Sequence, residues 1–295
     1  MVARRINKNG HRKRMRTKII SEIGWNHMGD MNLAKEMISA SKENGADMVK
    51  LQTWSVDRLS PGPWDTDGRR EIYEKAELTK EKHIELYEYS NTLSIPFFTS
   101  VFSIEDARLL AYVEKDTVKI ASFESRNKDL LSFCDGLFDT IYISTGTSTV
   151  DEIKESLEYI KTSNVVLLHC VSCYPLEPKN VNLPRILGLK GLCDRVGYSD
   201  HTVSPAVLYR AIHQYNINFV EFHIDLDGKG EEYEAGHCWL PNQISEVIAN
   251  VNSVLEADGE EIFEPSSSEL PDRDWRADPS DGLRPMTKVR KSFNG

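Results

Sequence analysis

No stretch of the sequence approaches the roughly 18 consecutive apolar residues that a membrane-spanning helix needs, and none follows the basic N-terminus in the manner of a secretory signal. Cysteine is scarce. Five residues, an odd number at irregular spacing, argue against a disulfide scaffold and for a reducing, cytoplasmic setting. Cys170-Val171-Ser172-Cys173 has CxxC spacing, but it lies at a strand end beside Pro175 rather than at a helix start. Positive charge is short as well: 36 Lys and Arg against 46 Asp and Glu give a net charge of −10, which disfavours nucleic acid as a partner. A Gly-rich phosphate turn is also missing. The first apolar run leads into Gly24-Trp25-Asn26-His27-Met28-Gly29, not GxGxxG, which counts against an open dinucleotide-binding sheet.

What is present is an ordinary globular balance, 40% hydrophobic and 28% charged, over 295 residues. The charge is uneven. Eight Lys and Arg and no acid fall in residues 1–18, so the remaining 28 basic residues face all 46 acids, a net −18. Short apolar runs recur, predicting strands over Lys18–Ile23, Ala46–Leu51, Ile95–Ser100, Thr117–Ala121, Thr140–Ile143, Val165–His169, Asp194–Tyr198 and Asn218–His223. Helical patterns alternate with them, over Leu33–Asn44, Lys80–Leu93, Glu105–Val113, Lys128–Cys134, Val150–Lys161, Leu183–Leu189, Pro205–Tyr215 and Asn242–Ala257. Continuous apolar strands without period-2 polarity fit a parallel sheet covered by helices. Eight β/α units in about 240 residues predict a closed (β/α)8 TIM barrel. The expected organisation is a basic tail (1–17), the barrel (18–258) and a short irregular C-terminal extension (259–295). Thr53–Leu78 reads as a long loop over the barrel mouth.

In such a barrel the C-terminal strand ends carry the chemistry. Here they hold Glu22; Lys50 and Gln52, of one parity; Ser100; Lys119, then Ser122; Ser144; His169, then Ser172; Ser199 and His201; and Glu221, His223 and Asp225, again of one parity. Two Lys and several Ser suit an anionic phosphate or carboxylate. His201 and His223, on neighbouring strands, suit one divalent metal with positions left open for water or substrate. Ser148-Thr149, followed by Asp151-Glu152, reads as a helix cap.

The ordered strings Glu22-Ile23-Gly24-Trp25-Asn26-His27, Val49-Lys50-Leu51-Gln52, Lys119-Ile120-Ala121-Ser122-Phe123-Glu124, Ile143-Ser144-Thr145-Gly146, Leu168-His169-Cys170-Val171-Ser172-Cys173-Tyr174-Pro175, Gly197-Tyr198-Ser199-Asp200-His201 and Glu221-Phe222-His223 resemble those of the N-acetylneuraminate (sialic acid) and nonulosonate synthases. The resemblance implies a phosphoenolpyruvate-dependent transferase that condenses an N-acylated amino-sugar aldehyde to a nonulosonate. It implies a divalent metal, Mn2+ with Mg2+ or Co2+ as alternatives, and a homodimer. It places Lys50, Ser100, Lys119, Ser122, Ser144, Ser172 and Ser199 around phosphoenolpyruvate, His201 and His223 on the metal, and Glu22 near the reacting centre. Gln52 shares the Lys50 face. A Gly-Pro-Asp-His-like sugar-binding string has no clear counterpart here, and Glu234 is the nearest carboxylate. An antifreeze-like domain that lends an Arg has no counterpart either, and Arg284 in the C-terminal extension is the expected stand-in. The rival readings are a barrel enzyme condensing phosphoenolpyruvate with another aldehyde, an aldolase, or a barrel that binds a sugar acid without turnover.

Overall fold

The computed structural model describes residues 16–257 and 263–293. Most of the basic N-terminal segment lies outside the described residues. Eight parallel strands alternate with helices: β1 (Lys18–Gly24), β2 (Met48–Thr53), β3 (Phe97–Val101), β4 (Thr117–Ile120), β5 (Thr140–Ser144), β6 (Asn164–His169), β7 (Val196–Asp200) and β8 (Phe219–Ile224). Each pairs with its successor, and β8 pairs back onto β1, so the sheet closes into a (β/α)8 barrel. A two-residue strand, β9 (Cys238–Trp239), extends the pairing of β8. The helices are α1 (Met31–Glu43), α2 (Arg69–Ala76), α3 (Lys80–Thr92), α4 (Ile104–Val113), α5 (Lys128–Cys134), α6 (Val150–Glu158), α7 (Arg185–Lys190), α8 (Pro205–Tyr209), α9 (Glu231–Glu234), α10 (Pro241–Ala257) and α11 (Thr287–Phe293). None is long and apolar enough to cross a membrane.

The helices start where side chains satisfy their free N–H groups. Asp30 accepts from the backbone N–H groups of Asn32 and Leu33 at the head of α1. Thr149 and Glu152 form a reciprocal capping box on α6. Three strands begin about two residues later than the apolar runs suggest. Before β2, Asp47 turns its carboxylate back to the Ile19 N–H at 2.8 Å. Before β3, Pro96 has no N–H to give the ladder. Before β7, Asp194 and Arg195 precede the first ladder residue of the strand, Val196. The stretch read as one loop after β2 contains α2, and its Trp54 packs edge-on against Tyr73 and Phe102. The helix after β7 widens into a π-helical turn over Arg210–Gln214.

Strand alternation sorts the side chains. Inside the barrel, Ile20, Met48, Phe98, Tyr142, Val166, Leu168 and Phe219 form an apolar floor. The outward residues pack with the helices into the larger core, with Ile38, Leu86, Leu110 and Leu131 fully buried there. One step up from the floor, the inward positions become Glu22, Lys50, Ser100, Lys119, Ser144, Ser199 and Glu221, and these are polar and buried. The register sets Glu22 beside Lys50 and His223, Ser100 beside Lys119, and Ser199 beside Glu221.

Residues 252–295 form a separate compact unit. Asp278 organises it, accepting from Ser280 and from the Thr287 N–H at 2.6 Å, while Arg290 pairs with Asp281 at 2.6 Å. Arg284 is exposed within that unit.

Candidate active site

The centre of the barrel mouth is a buried charged quartet. Lys50 Nζ lies 2.6 Å from Glu22 Oε2 and 2.9 Å from Ser100 Oγ, to which it donates. Lys119 Nζ donates to both oxygens of Glu221, each at 2.8 Å. Ser199 donates to Glu221 Oε1 at 3.1 Å, and Gln52 Nε2 donates to Glu22 Oε1 at 2.8 Å. The two carboxylates diverge electrostatically. Burial works to raise Glu221, but Lys119 and Lys50 outweigh it and bring its pKa to about 2. At Glu22 burial wins over Lys50, and its proton affinity rises above the ordinary carboxylate range. One carboxylate therefore stays ionised while the other can take up a proton, the arrangement that proton-transfer chemistry needs. Burial also lowers the Lys119 pKa against the pull of Glu221.

Beside the quartet lie two imidazoles whose rings are 5.5 Å apart. His201 Nδ1 donates to the Val171 carbonyl at 2.9 Å, because that oxygen can only accept. Burial, helped by His223, lowers its pKa to about 3, so the ring is neutral. Tyr174 packs on it at 4.2 Å between ring centres. His223 Nδ1 faces Glu232 Oε2 at 3.3 Å. Burial alone would lower the His223 pKa, but Glu232 outweighs burial and raises it. With both Nδ1 atoms engaged, Nε2 of each ring is the nitrogen left to offer a lone pair. Two imidazoles held from behind by a carbonyl and a carboxylate fit a divalent metal of the borderline type.

A second polar group surrounds Gly146, just after β5. A Cβ there would stand 2.4 Å from Ser172 Oγ and 2.7 Å from Ser122 Oγ, so only glycine leaves room for both hydroxyls. The Ser172 hydroxyl is buried with no hydrogen-bond partner among the described residues, and Ser122 sits 3.2 Å from Cys170 Sγ. Ser144 is buried on the same strand end.

Not every polar strand end faces the mouth. Asp200 points outward and accepts from Tyr198, Thr202 and the Trp239 indole, which pins the turn carrying His201. His169 also points outward. Its Nε2 donates to the Val181 carbonyl at 2.7 Å, and burial lowers its pKa to about 4. The unfolded chain then takes up a proton near pH 6.5 that the folded protein refuses until about pH 4, so this residue costs stability as the pH falls through that window. His169→Gln keeps the donor. Relative to the parent, it should gain about 2 kcal/mol between pH 7 and pH 4.5. Urea unfolding at the two pH values measures the difference, and a pH-independent difference refutes the assignment.

The acidic residue of the β8–β9 connection that turns inward is Glu232. Glu234, expected from the sequence to face the sugar, is exposed on α9. The two are two residues apart on a helix, about 200° around its axis, so only one can face the site. Glu232 Oε1 lies 3.6 Å from His237 Nε2, and ligand atoms of His223, Glu232, His237 and Cys238 fall within 4.8 Å of one another. The sequence places Glu221 at an inward strand end with His223 but gives it no role; the structure pairs it with Lys119.

A parallel barrel with charged, imidazole-bearing strand ends defines the class: a barrel with its reactive groups at the C-terminal mouth. The NeuB family profile matches residues 37–263, and the chain belongs to that family. It is 34% identical over 201 residues to a pseudaminic acid synthase of Helicobacter pylori, covering 63% of this chain and 59% of that protein. It is 31% identical over 280 residues to an N,N'-diacetyllegionaminic acid synthase of Legionella pneumophila, covering 86% of this chain and 77% of that protein. The crystal structure of an N-acetylneuraminic acid (sialic acid) synthetase from Leptospira borgpetersenii in complex with citrate superposes with a TM-score of 0.76 at 26% identity. That match covers 91% of this chain and 94% of the other.

Proposed function

We propose that the protein condenses phosphoenolpyruvate with an N-acylated, ManNAc-like amino-sugar aldehyde to give a sialic-acid-like nonulosonate and phosphate. The observation that carries this reading is the buried quartet, Lys50 on Glu22 and Lys119 on Glu221, next to the His201–His223 pair at one barrel mouth. The synthase names of the relatives support the product class.

Lys50 and Lys119 supply the charge for the carboxylate and phosphate of phosphoenolpyruvate, with the Ser122 and Ser172 hydroxyls as further donors around Gly146. Carbon 3 of phosphoenolpyruvate forms a bond to the aldehyde carbon, and the aldehyde oxygen takes the proton carried by Glu22 to become a hydroxyl, which leaves Glu22 ionised. Carbon 2 gains cationic character, which the ionised Glu221 and Glu22 stabilise. Water adds at carbon 2 and gives its proton to Glu22. The bond from carbon 2 to the phosphate oxygen then breaks, the carbon-2 hydroxyl gives its proton to the departing phosphate, and a 2-keto acid is left. His201 and His223 would hold a divalent metal, Mn2+ in this reading, whose role is to polarise the aldehyde oxygen. The reading includes a cytoplasmic homodimer.

The test is a panel of N-acyl amino sugars, free and phosphorylated, incubated with phosphoenolpyruvate and Mn2+. Phosphate release together with a product of the combined mass, identified by mass spectrometry, is the expected result. No phosphate release with any sugar overturns the reading.

A further inference from the structure

The mouth contains a buried carboxylate that the reaction above does not use. Glu232 is 5% exposed, and among the described residues no lysine or arginine pairs with it. Its partners are imidazoles, with one oxygen at His223 Nδ1 and the other at His237 Nε2. An ionised carboxylate is costly to bury unless something compensates it. The two imidazole contacts, at 3.3 Å and 3.6 Å, are the compensation this buried carboxylate has among the described residues.

The fold makes room for this group. After β8 the chain leaves the barrel, forms the single turn α9, and returns as β9, where Cys238 pairs with His223 in parallel register. The return brings His237 beside the end of β8 and encloses Glu232 between the two rings. On the opposite side, β1 ends at Gly24 in the left-handed region, φ +61°, and a Cβ at this position would stand 3.2 Å from Glu232 Oε2. The backbone there is shaped around the carboxylate.

We propose that Glu232, braced by His237, is the positioning residue of the metal-binding His223: it fixes which ring nitrogen faces the metal and so sets metal affinity. The proposal rests on the metal assignment of the proposed function. An acceptor behind a ligating imidazole fixes its tautomer and orientation, and losing it typically weakens metal binding by about 10–100-fold. Glu232 faces Nδ1, which commits Nε2 of His223 to the metal. The Val171 carbonyl does the same for His201.

The experiment uses the metal-stripped full chain and no substrate. Mn2+ and Co2+ are titrated by calorimetry into the parent, Glu232→Gln, Gly24→Ala and, as a surface control on the same helix, Glu231→Gln. Glu232→Gln should raise the Kd by about 10–100-fold. Gly24→Ala, which crowds the carboxylate without removing it, should give a smaller loss in the same direction and serves if Glu232→Gln does not fold. Glu231→Gln should match the parent. At saturating Co2+, the visible spectrum of Glu232→Gln should keep the parent's band shape, since a positioning residue contributes no ligand. Parent-like affinity in Glu232→Gln and Gly24→Ala overturns the proposal. So does a changed coordination spectrum, which would make Glu232 a ligand, and so does a parent that binds neither metal. Because the readout needs no turnover, a failure of the condensation assay tells against the synthase reading without disturbing this result.

Discussion

Replacing Lys119 with methionine should abolish phosphoenolpyruvate-dependent phosphate release, by about three orders of magnitude or more, and should also destabilise the barrel. Both effects follow from one contact. The Lys119 ammonium holds both oxygens of Glu221 at 2.8 Å in a position closed to water. Without it, a buried carboxylate keeps only Ser199 and the more distant Lys50, 3.9 Å away. Breaking a buried pair from one side costs about 3–5 kcal/mol, because the remaining charge is uncompensated. Removing both charges in Lys119→Met/Glu221→Leu should restore most of that stability, since an apolar replacement of a buried pair is often neutral. The double variant should remain inactive, because the anion site still lacks the Lys119 charge and keeps Lys50 alone. Denaturant unfolding and steady-state phosphate release separate the two effects. A double variant no more stable than Lys119→Met would refute the coupling, and parent-like turnover in Lys119→Met would remove the lysine from the reaction.

The second large effect concerns the imidazole pair. His201→Ala and His223→Ala should each lower metal-dependent turnover by about three orders of magnitude, or roughly 4 kcal/mol of transition-state stabilisation. Chelation should silence the parent, and added Mn2+ should restore it. The two variants should differ in stability. His201 is neutral, and its loss frees only the Val171 carbonyl. The loss of His223 leaves the ionised Glu232 with His237 alone, so His223→Ala should be less stable than His201→Ala by about 3 kcal/mol. Equal stability of the two would show that Glu232 is not held by His223. Full activity in both after chelation and metal addition would rule out the pair as the metal site.

The barrel is legible in the sequence because its strands are covered on both faces. Runs such as Ile141–Ile143 and Val165–Leu168 are continuous and apolar, a pattern that belongs to a parallel sheet under helices. The inward polar positions follow from parity once one of them is known, as with Lys50 and Gln52. Three features escape such reasoning. Helix α2, Arg69–Ala76, is mostly charged and buries only Ala76, so no apolar stripe announces it. The choice between Glu232 and Glu234 depends on the phase of a four-residue helix, too short to show a period. The partnership of Lys119 with Glu221 joins residues 102 positions apart, and it follows only from the closed ring that sets β4 facing β8.

That ring closes between the first and last strands, where Glu22 stands in register with His223. The charged quartet draws Glu22 from one side of this seam and Glu221 from the other, while both lysines come from strands formed earlier in the ring. A nascent chain that has not yet reached β8 therefore carries Lys119 with no Glu221 to meet it, and the mouth lacks the strand that carries His223. Contacts of this sequence separation are the slowest to form. The charged quartet is thus complete only when β8 closes the ring against β1 and brings Glu221 to Lys119.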